Sequence, residues 1–355
     1  MPKVMQKYNS DENFLSKSHK HIMKWLFFDK TIPFIINYKK RSIFMNNLKK
    51  VGLTALATTL VSTASVAGEL SVSGSAALSY TGLSTSSGAN PWAQGDSIKF
   101  NGGGDLDNGM TVAVYYELDT GGTAYDDYNL VLGMGDMGSL SFSGNSKSGS
   151  GVDKLKDIVP NAYTPIYEAT DSTDSGLIDA SGNQQAGQWG YDITVGSLDL
   201  SASYNPEPGT DNKEAETGFA AVYKGFDGLE LSAGYFDDGD EAENNTFGIK
   251  YTMGQMTAAY QVTEVDYSGT GTKDQSARHY GISIAVNDSL SVSAAAQDIE
   301  FGDNSAKDEK NTGIGGSYTV GSISMYGGFN KLENKGGSTS AQDVEASIFN
   351  ISFAF

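Results

Sequence analysis

The chain has 355 residues, with 43 Gly, 7 Pro and no Cys, and its 24 Lys or Arg against 43 Asp or Glu give a formal net charge of −19. The lack of Cys excludes disulfides, thiolate metal sites and Cys nucleophiles. The acidic balance argues against nucleic acid as a partner, because phosphate binding needs clustered basic residues. The mean hydropathy of −0.32 excludes a bundle of membrane helices. It does not exclude a membrane β-barrel, since only alternate residues of barrel strands face lipid.

A segment in the first part of the chain has the pattern of a secretory signal peptide. Residues 45–67 begin with a short basic region, continue with an apolar run and end with Ser65-Val66-Ala67, a small-x-small cleavage site. This pattern predicts export, with cleavage after Ala67. We interpret residues 1–44 as an upstream start-site artefact or an N-terminal extension. Residues 68–355 are then the exported part, which is more acidic than the whole chain because the preceding residues are net basic.

Apolar side chains recur at every second position through residues 68–355, in runs of about ten residues. This is the period of a β-strand with one apolar face. Runs of nine to eleven residues are long enough to cross a bilayer as tilted strands. Representative rows are Val112, Val114, Tyr116 and Leu118; Leu198, Leu200, Ala202 and Tyr204; and Phe349, Ile351, Phe353 and Phe355.

The connections between these runs alternate between short turns rich in Gly, Asn and Asp and long polar loops, of which 145–186 is the longest. Seven short turns and eight long loops separate sixteen strands. The pattern predicts an all-β fold, a 16-stranded antiparallel transmembrane β-barrel with its short turns at one end. Tyr at strand ends predicts an interfacial girdle, and the polar alternate positions predict a wet interior. The alternative, a soluble β-sandwich, would require a packed apolar core.

In this pattern the chain resembles a Gram-negative general porin of the alphaproteobacterial, Rhodobacter-like type. The resemblance is carried by Gly68-Glu69-Leu70 running directly into the first strand, by the C-terminal Phe355, and by the long third loop 145–186. It implies a cell outer-membrane location among lipid and lipopolysaccharide, and a homotrimer. It also implies a third loop folded inward to narrow the pore, and recognition of Phe355 by the outer-membrane assembly machinery.

The function implied is a water-filled channel for passive diffusion of small hydrophilic solutes and ions, with no catalysis. A substrate-specific outer-membrane channel is the nearest alternative. A barrel enzyme is a more distant one, because hydrolytic barrels need a His beside Ser or Asp. The only His in residues 68–355 is His279, which we expect to be structural or solvated at the barrel rim.

Candidate lining residues lie on the third loop and on the inward face of the strands. The apolar and Pro content of the loop predicts an ordered segment packed against the wall, rather than a floppy surface loop. The scarcity of Arg and the acidic excess predict a cation preference. The loop candidates are Asp153, Lys154, Lys156, Asp157, Glu168 and Asp171. The wall candidates, assigned by strand parity, are Lys99, Glu117, Asp192, Asp199, Lys224, Glu230 and Lys250.

Two further motifs are weaker. Asp237, Asp238 and Asp240 form an oxygen-rich loop of the kind that binds Ca²⁺, although a solvated acidic loop is the more common interpretation. No other cofactor is expected. Residues 133–138 match GxGxxG, but a strand rather than a helix follows, so a hairpin is predicted instead of a dinucleotide site.

Overall fold

The computed structural model describes residues 68–85, 88, 90–119, 127–144, 149–156, 158–161, 187–206, 215–239, 242–268, 274–303, 306–340 and 343–355. The segment 1–44 and the predicted signal peptide 45–67 lie outside the described residues. Within the described ranges, no helix is both long enough and apolar enough to cross a membrane.

Sixteen antiparallel strands follow one another along the chain, and each is hydrogen-bonded to its neighbours in sequence. The last strand pairs with the first, from Ser75 opposite Ala354 to Leu83 opposite Ala346, and closes the sheet. This confirms the predicted 16-stranded antiparallel barrel. The strands are β1 (Glu69–Leu83), β2 (Trp92–Asp105), β3 (Thr111–Asp119), β4 (Tyr128–Gly133), β5 (Ser139–Ser143), β6 (Gln188–Val195), β7 (Leu198–Asn205), β8 (Glu216–Phe226), β9 (Leu229–Asp237), β10 (Ala242–Met253), β11 (Met256–Tyr267), β12 (Gln275–Ala285), β13 (Leu290–Phe301), β14 (Glu309–Val320), β15 (Ile323–Glu333) and β16 (Val344–Ala354).

The alternation in sequence becomes an alternation between the outside and the lumen of the barrel. Apolar side chains such as Phe247, Ile249 and Phe329 are exposed on the outer face. Their neighbours along the same strands, such as Thr246 and Asn330, are buried on the inner face. Loss of this alternation would turn apolar side chains into the lumen, so the register is strongly specified.

The turns and the closure follow the local chemistry of the sequence. Gly196 and Gly254 have φ of +61° and +62° in tight turns, a conformation that costs Gly little. Gly135–Met137 forms a short 3₁₀ turn between β4 and β5, as expected for a hairpin. At the C-terminus, the Phe355 amide donates to the Gly74 carbonyl at 2.9 Å, and the Gly74 amide donates to the Phe355 carbonyl at 2.7 Å.

The strand lengths vary more than the expected nine to eleven residues. β1 has 15 residues, whereas β4 has six and β5 has five. β5 ends at Ser143, and by Gly151 the chain lies against the inner faces of β7, β8 and β9. One sector of the barrel is therefore built from short strands.

The interior is also less uniformly polar than the sequence predicts. Val265, Ala277 and Ile299 form a buried apolar cluster on the inner face of β11 to β13, near the end that carries the long loops. Phe301 packs against this cluster. The 3₁₀ helix Lys335–Gly337 lies at its edge, where a side chain at Gly337 would come within 2.8 Å of the Phe301 ring.

Candidate functional site

The described part of the third loop lies inside the barrel. Its 3₁₀ helix, Gly151–Leu155, contacts the inner faces of β7, β8 and β9. Within that helix Val152, Asp153 and Leu155 are buried. The described part of the loop therefore folds inward, as the resemblance implies, and occupies lumen space next to one wall. We call residues 149–161, as far as they are described, the docked segment.

Apolar packing holds the middle of the docked segment. Leu155 is 1% exposed and forms a buried cluster with Ile158, Ala220 of β8 and Ala259 of β11. Val159 packs at the edge of this cluster. Burial of a Leu or Ile side chain stabilises by about 1.5–3 kcal/mol, so the segment is held largely by hydrophobic contact.

Hydrogen bonds to inward-facing side chains anchor the start of the docked segment. The Ser150 hydroxyl donates to Asp192 Oδ2 at 2.8 Å. The Gly151 amide donates to the Ser201 hydroxyl at 2.6 Å, and that hydroxyl in turn donates to Asp192 Oδ1 at 2.6 Å. Lys154 Nζ lies 3.3 Å from the same Asp192 oxygen. Asp192 thus joins strands β6 and β7 to the segment.

A second anchor holds the other end of the 3₁₀ helix. Gln261 of β11 donates from Nε2 to the Leu155 carbonyl at 3.0 Å and to the Thr246 hydroxyl at 2.9 Å. Gln261 is buried on the inner face. Because a buried carbonyl without a donor costs free energy, this contact fixes where the helix ends.

The charges of the docked segment divide between the wall and the lumen. Asp153 is buried, and its side chain is 5% exposed. Lys154 and Lys156 are each 44% exposed, and Lys156 Nζ lies 3.6 Å from Asp153 Oδ1. The other loop candidates, Asp157, Glu168 and Asp171, lie outside the described residues. The described segment therefore presents ammonium groups to the lumen.

Each wall lysine that strand parity predicted is paired with a carboxylate on an adjacent strand. Lys99 Nζ lies 3.2 Å from Glu117 Oε1, which also accepts a hydrogen bond from Ser97 at 2.6 Å. The Tyr115 hydroxyl donates to the second Glu117 oxygen. Cross-strand pairs of opposite charge stabilise a sheet locally. The other two pairs are Lys224 with Asp199 at 2.7 Å and Lys250 with Glu230 at 2.9 Å.

Each of these three wall pairs is thus neutral, which the count of acidic residues does not indicate. The structure brings Lys154 and Asp192 together but places Lys99 and Glu117 on β2 and β3, away from the strands that hold the docked segment. The uncharged anchors Ser201 and Gln261 were missed by the sequence analysis. Their inward parity was a signal, but their partners lie 50 and 106 residues away.

In the described structure, two carboxylates of the acidic loop that suggested Ca²⁺ accept hydrogen bonds from nearby backbone amides. Asp237 Oδ1 accepts from the Gly239 amide at 2.8 Å, and Asp238 Oδ1 accepts from the Ala242 amide at 2.9 Å. Asp240 lies outside the described residues. No group of three or more His, Cys, Asp or Glu side chains that could hold a metal occurs in the part of the chain that was searched. The Ca²⁺ site stays a prediction.

His279 differs from its expected place at the rim. It is 4% exposed on the inner face of β12, opposite Gln261 and Gln297 on the neighbouring strands. The solvated alternative and the rim position are therefore wrong, whereas burial among polar wall residues fits the structural alternative. Phe355 lies at the strand end and is exposed, and its part in assembly stays a prediction.

Comparisons with known proteins agree with this architecture. The structure is similar to the loop L8 deletion mutant of OmpT, an outer membrane protein of Vibrio cholerae, with a TM-score of 0.63, 16% identity, and coverage of 82% of this chain and all of that one. The structure is also similar to an anion-selective porin from Comamonas acidovorans, with a TM-score of 0.62, 15% identity, and coverage of 81% of this chain and all of that one. For a mutant of the Rh. blastica porin, the TM-score is 0.58 and the identity is 16%, with coverage of 81% of this chain and all of that one. At these identities the likeness shows the fold alone.

No significant match was found among curated protein sequences. A family model described as Gram-negative porin matches residues 52–337, which is most of the chain. The match spans β1 to β15 and includes the docked segment. The closed barrel, the inward third loop and this match lead to one conclusion: the chain belongs to the Gram-negative porin family.

Proposed function

We propose that the protein is an outer-membrane channel for passive diffusion of small hydrophilic solutes and ions, and that the docked segment forms its narrowest part. The observation that carries the proposal is the closed sixteen-stranded barrel with a segment anchored on its inner wall through Leu155 and Asp192. A lumen narrowed in this way selects by size and by lining charge. The proposed channel performs no chemistry.

We propose that a cation preference arises at the external mouth rather than at the docked segment. The three wall lysines are each paired with a carboxylate, so these pairs give the wall no net charge. Carboxylates outnumber basic groups around the loop end of the described strands, and an acidic mouth raises the local cation concentration. Residues that support this mouth charge are Asp237, Glu264, Asp266, Asp274, Asp308 and Asp343.

The proposed preference depends on salt. Exposed charges act over a Debye length of about 10 Å at 0.1 M ionic strength and about 3 Å at 1 M. The cation preference should therefore weaken as the salt concentration rises. The Comamonas acidovorans neighbour is described as anion-selective, so the shared fold does not determine the sign of selectivity.

We propose a homotrimer whose contacts involve the sector around β4 and β5. Strands of six and five residues fall short of the nine to eleven that cross a bilayer. Aromatic side chains cover the outer face there: Tyr116 stacks on Tyr128, and Phe142 packs edge-on against Trp189. A second copy would shield this sector from lipid. A structure of V. cholerae OmpT is described as a trimer form, which supports the proposal.

The proposed route to the membrane uses both ends of the chain. Residues 45–67 would direct export, and Phe355 would be read by the assembly machinery. Lipid and lipopolysaccharide would then surround the apolar outer face, where Phe247 and Phe329 are exposed. A Ca²⁺ ion at the loop containing Asp237, Asp238 and Asp240 remains a separate, minor proposal.

The proposal is tested by expressing the full chain in a porin-deficient Gram-negative host and purifying the protein from its outer membrane. Planar-bilayer recordings should show stepwise conductance. The reversal potential in a salt gradient should indicate cation preference at about 0.1 M salt and less preference at about 1 M. A correctly folded barrel that gives no conductance steps would overturn the channel. Anion preference at low salt would overturn the proposed mouth charge while leaving the channel.

A further inference from the structure

Five glycines line the inner wall where the docked segment crosses it. They are Gly190 of β6, Gly218 of β8, Gly234 of β9, Gly248 of β10 and Gly281 of β12. Each lies between outward-facing residues of its strand and therefore faces the lumen; Gly248, for example, lies between the exposed Phe247 and Ile249. We call these five residues the glycine seat.

The docked segment contacts the glycine seat strand by strand as it runs around the wall. A Cβ atom on Gly190 would lie 2.7 Å from Ser150 Cβ, and one on Gly218 would lie 3.5 Å from the Val152 amide nitrogen. At Gly190 the space of the absent side chain is shared by Ser150 of the segment and Ser141 of the wall, whereas at Gly218 the wall is nearer, with Ser203 Oγ 2.5 Å away.

The same relation continues along the rest of the segment. A Cβ atom on Gly234 would lie 2.7 Å from Leu155 Cδ1. One on Gly248 would lie 2.5 Å from Ser232 Oγ of the wall and 2.7 Å from Ile158 Cδ1, and one on Gly281 would lie 2.8 Å from Val159 Cγ1. Contacts this short cannot form without displacement of one partner.

We propose that the glycine seat sets the bore of the channel, because it fixes how closely the docked segment approaches the wall. This inference rests on the proposed function. Each strand of the wall is held by ladders of backbone hydrogen bonds on both sides. The docked segment has only its cluster around Leu155 and a few hydrogen bonds. A side chain added to the seat therefore displaces the segment, and the free direction is into the lumen.

The glycines do not serve a general need of the strands. Gly in a strand interior weakens the strand, and it commonly marks the close approach of another backbone. Gly95 of β2 is also on the inner face, but nothing lies within 4 Å of a Cβ atom placed there. Gly327 of β15 is on the outer face, and the nearest atom to its Cβ position is 4.0 Å away. These two positions provide matched controls.

The test replaces Gly234 or Gly281 by Ala and by Val in the full chain purified from outer membranes. Single-channel conductance is recorded, together with the largest neutral polymer that enters the pore. Conductance and size limit should fall from Gly to Ala to Val at both positions. The controls Gly95→Val and Gly327→Val should conduct nearly as the unsubstituted protein does. The SDS-resistant, heat-modifiable form on a gel shows that each barrel is folded.

A second substitution distinguishes a specific steric contact from a general loss of structure. In Gly281→Val, the second change Val159→Ala removes two carbon atoms from the docked segment at the point of contact. The double variant should regain much of the lost conductance. Val159→Ala added to Gly327→Val should not raise the conductance.

The outcomes distinguish this inference from the proposed function. If the unsubstituted protein conducts and the Val variants at 234 and 281 conduct equally well, the glycine seat does not set the bore. A rise in conductance in these variants, or an equal fall in Gly95→Val, would also overturn it. If the unsubstituted protein itself fails to conduct, the proposed function fails instead.

Discussion

The barrel has two inner walls of different character. The wall of β6 to β12 is covered by the docked segment, and its contacts are close packing around Leu155 with hydrogen bonds from Ser150 and Gln261. The wall of β2 and β3 carries the ion pair of exposed Lys99 and buried Glu117, with Ser97 and Tyr115 as further partners of the carboxylate. The first wall holds a polypeptide, whereas the second faces water.

The difference indicates which substitutions change bore and which change charge. On the covered wall, a substitution acts through the position of the segment, so small volume changes alter the width of the pore. On the facing wall, a substitution acts through the local potential, which water and salt screen. Asp192 shows that residue type alone does not decide the role, because this predicted lining charge is used as an anchor.

The largest effect is expected from Leu155→Asp on the covered wall. Truncating a buried Leu costs about 2–5 kcal/mol, and a buried unpaired charge adds to that cost. The segment should leave the wall while the barrel stays folded. Liposome-swelling rates with sugars of increasing size should show a different size limit from that of the unsubstituted protein. Leu155→Met, which conserves volume, is the control, and equal size limits in both variants would contradict the packing role.

Asp192→Asn should have the next largest effect. The carboxylate accepts hydrogen bonds from Ser150 and Ser201 and lies beside Lys154, and hydrogen bonds to charged groups contribute about 1.5–3 kcal/mol. The chain has no Cys, so a single Ile158→Cys reports on docking through its reaction rate with a thiol reagent. That rate should rise in Asp192→Asn.

Glu230→Gln is the matched control for this change. It removes a wall carboxylate that pairs with Lys250 rather than with the docked segment. The thiol reaction rate at position 158 should stay unchanged in this variant. An equal rise in both variants would mean that any loss of wall charge loosens the segment, and Asp192 would have no special role.

Gln261→Leu should have a smaller effect on the same wall. It removes the donor to the Leu155 carbonyl, and a typical neutral hydrogen bond contributes about 0.5–1.5 kcal/mol. Open-channel current noise should increase while mean conductance changes little. Open-channel noise equal to that of the unsubstituted protein would show that the hydrogen bond from Gln261 is not needed to hold the segment.

The smallest effect on structure is expected on the facing wall, from Lys99→Gln. Lys99 is exposed, and Ser97 and Tyr115 still donate to the Glu117 carboxylate when Lys99 is replaced, so conductance and stability should stay close to the original. The reversal potential at low salt should shift toward cations, because Glu117 loses its partner. Glu117→Gln should shift it in the opposite direction. A large change in pore width in Lys99→Gln would contradict the conclusion that the two walls have different roles.

The sequence predicts the barrel well because the strand period and the turns are local signals. The row of Phe349, Ile351 and Phe353 determines which face of β16 is outward, and Gly254 marks a turn from its own position. The docking contacts could not be predicted in the same way. Gln261 and Leu155 are 106 residues apart, and no periodicity couples them.

Two further differences have the same physical cause. The sequence predicts strands of nearly equal length, but β5 ends at Ser143, and by Gly151 the chain lies against the inner wall. The sequence also predicts a uniformly polar interior, but Val265 and Ile299 pack together on the inner face. In both places a contact between distant segments overrides the local pattern.

The most direct test of the account asks whether the docked segment lies in the conducting path, with one face to the lumen and one to the wall. Lys156→Cys should react with a charged thiol reagent during a planar-bilayer recording, and each modification should lower the current in a step, because Lys156 is exposed on the segment. Ile158→Cys should not react on that timescale, because Ile158 is buried against the wall. If both positions reacted alike, or if modification of Lys156→Cys left the current unchanged, the segment would not narrow the channel and the account would be contradicted.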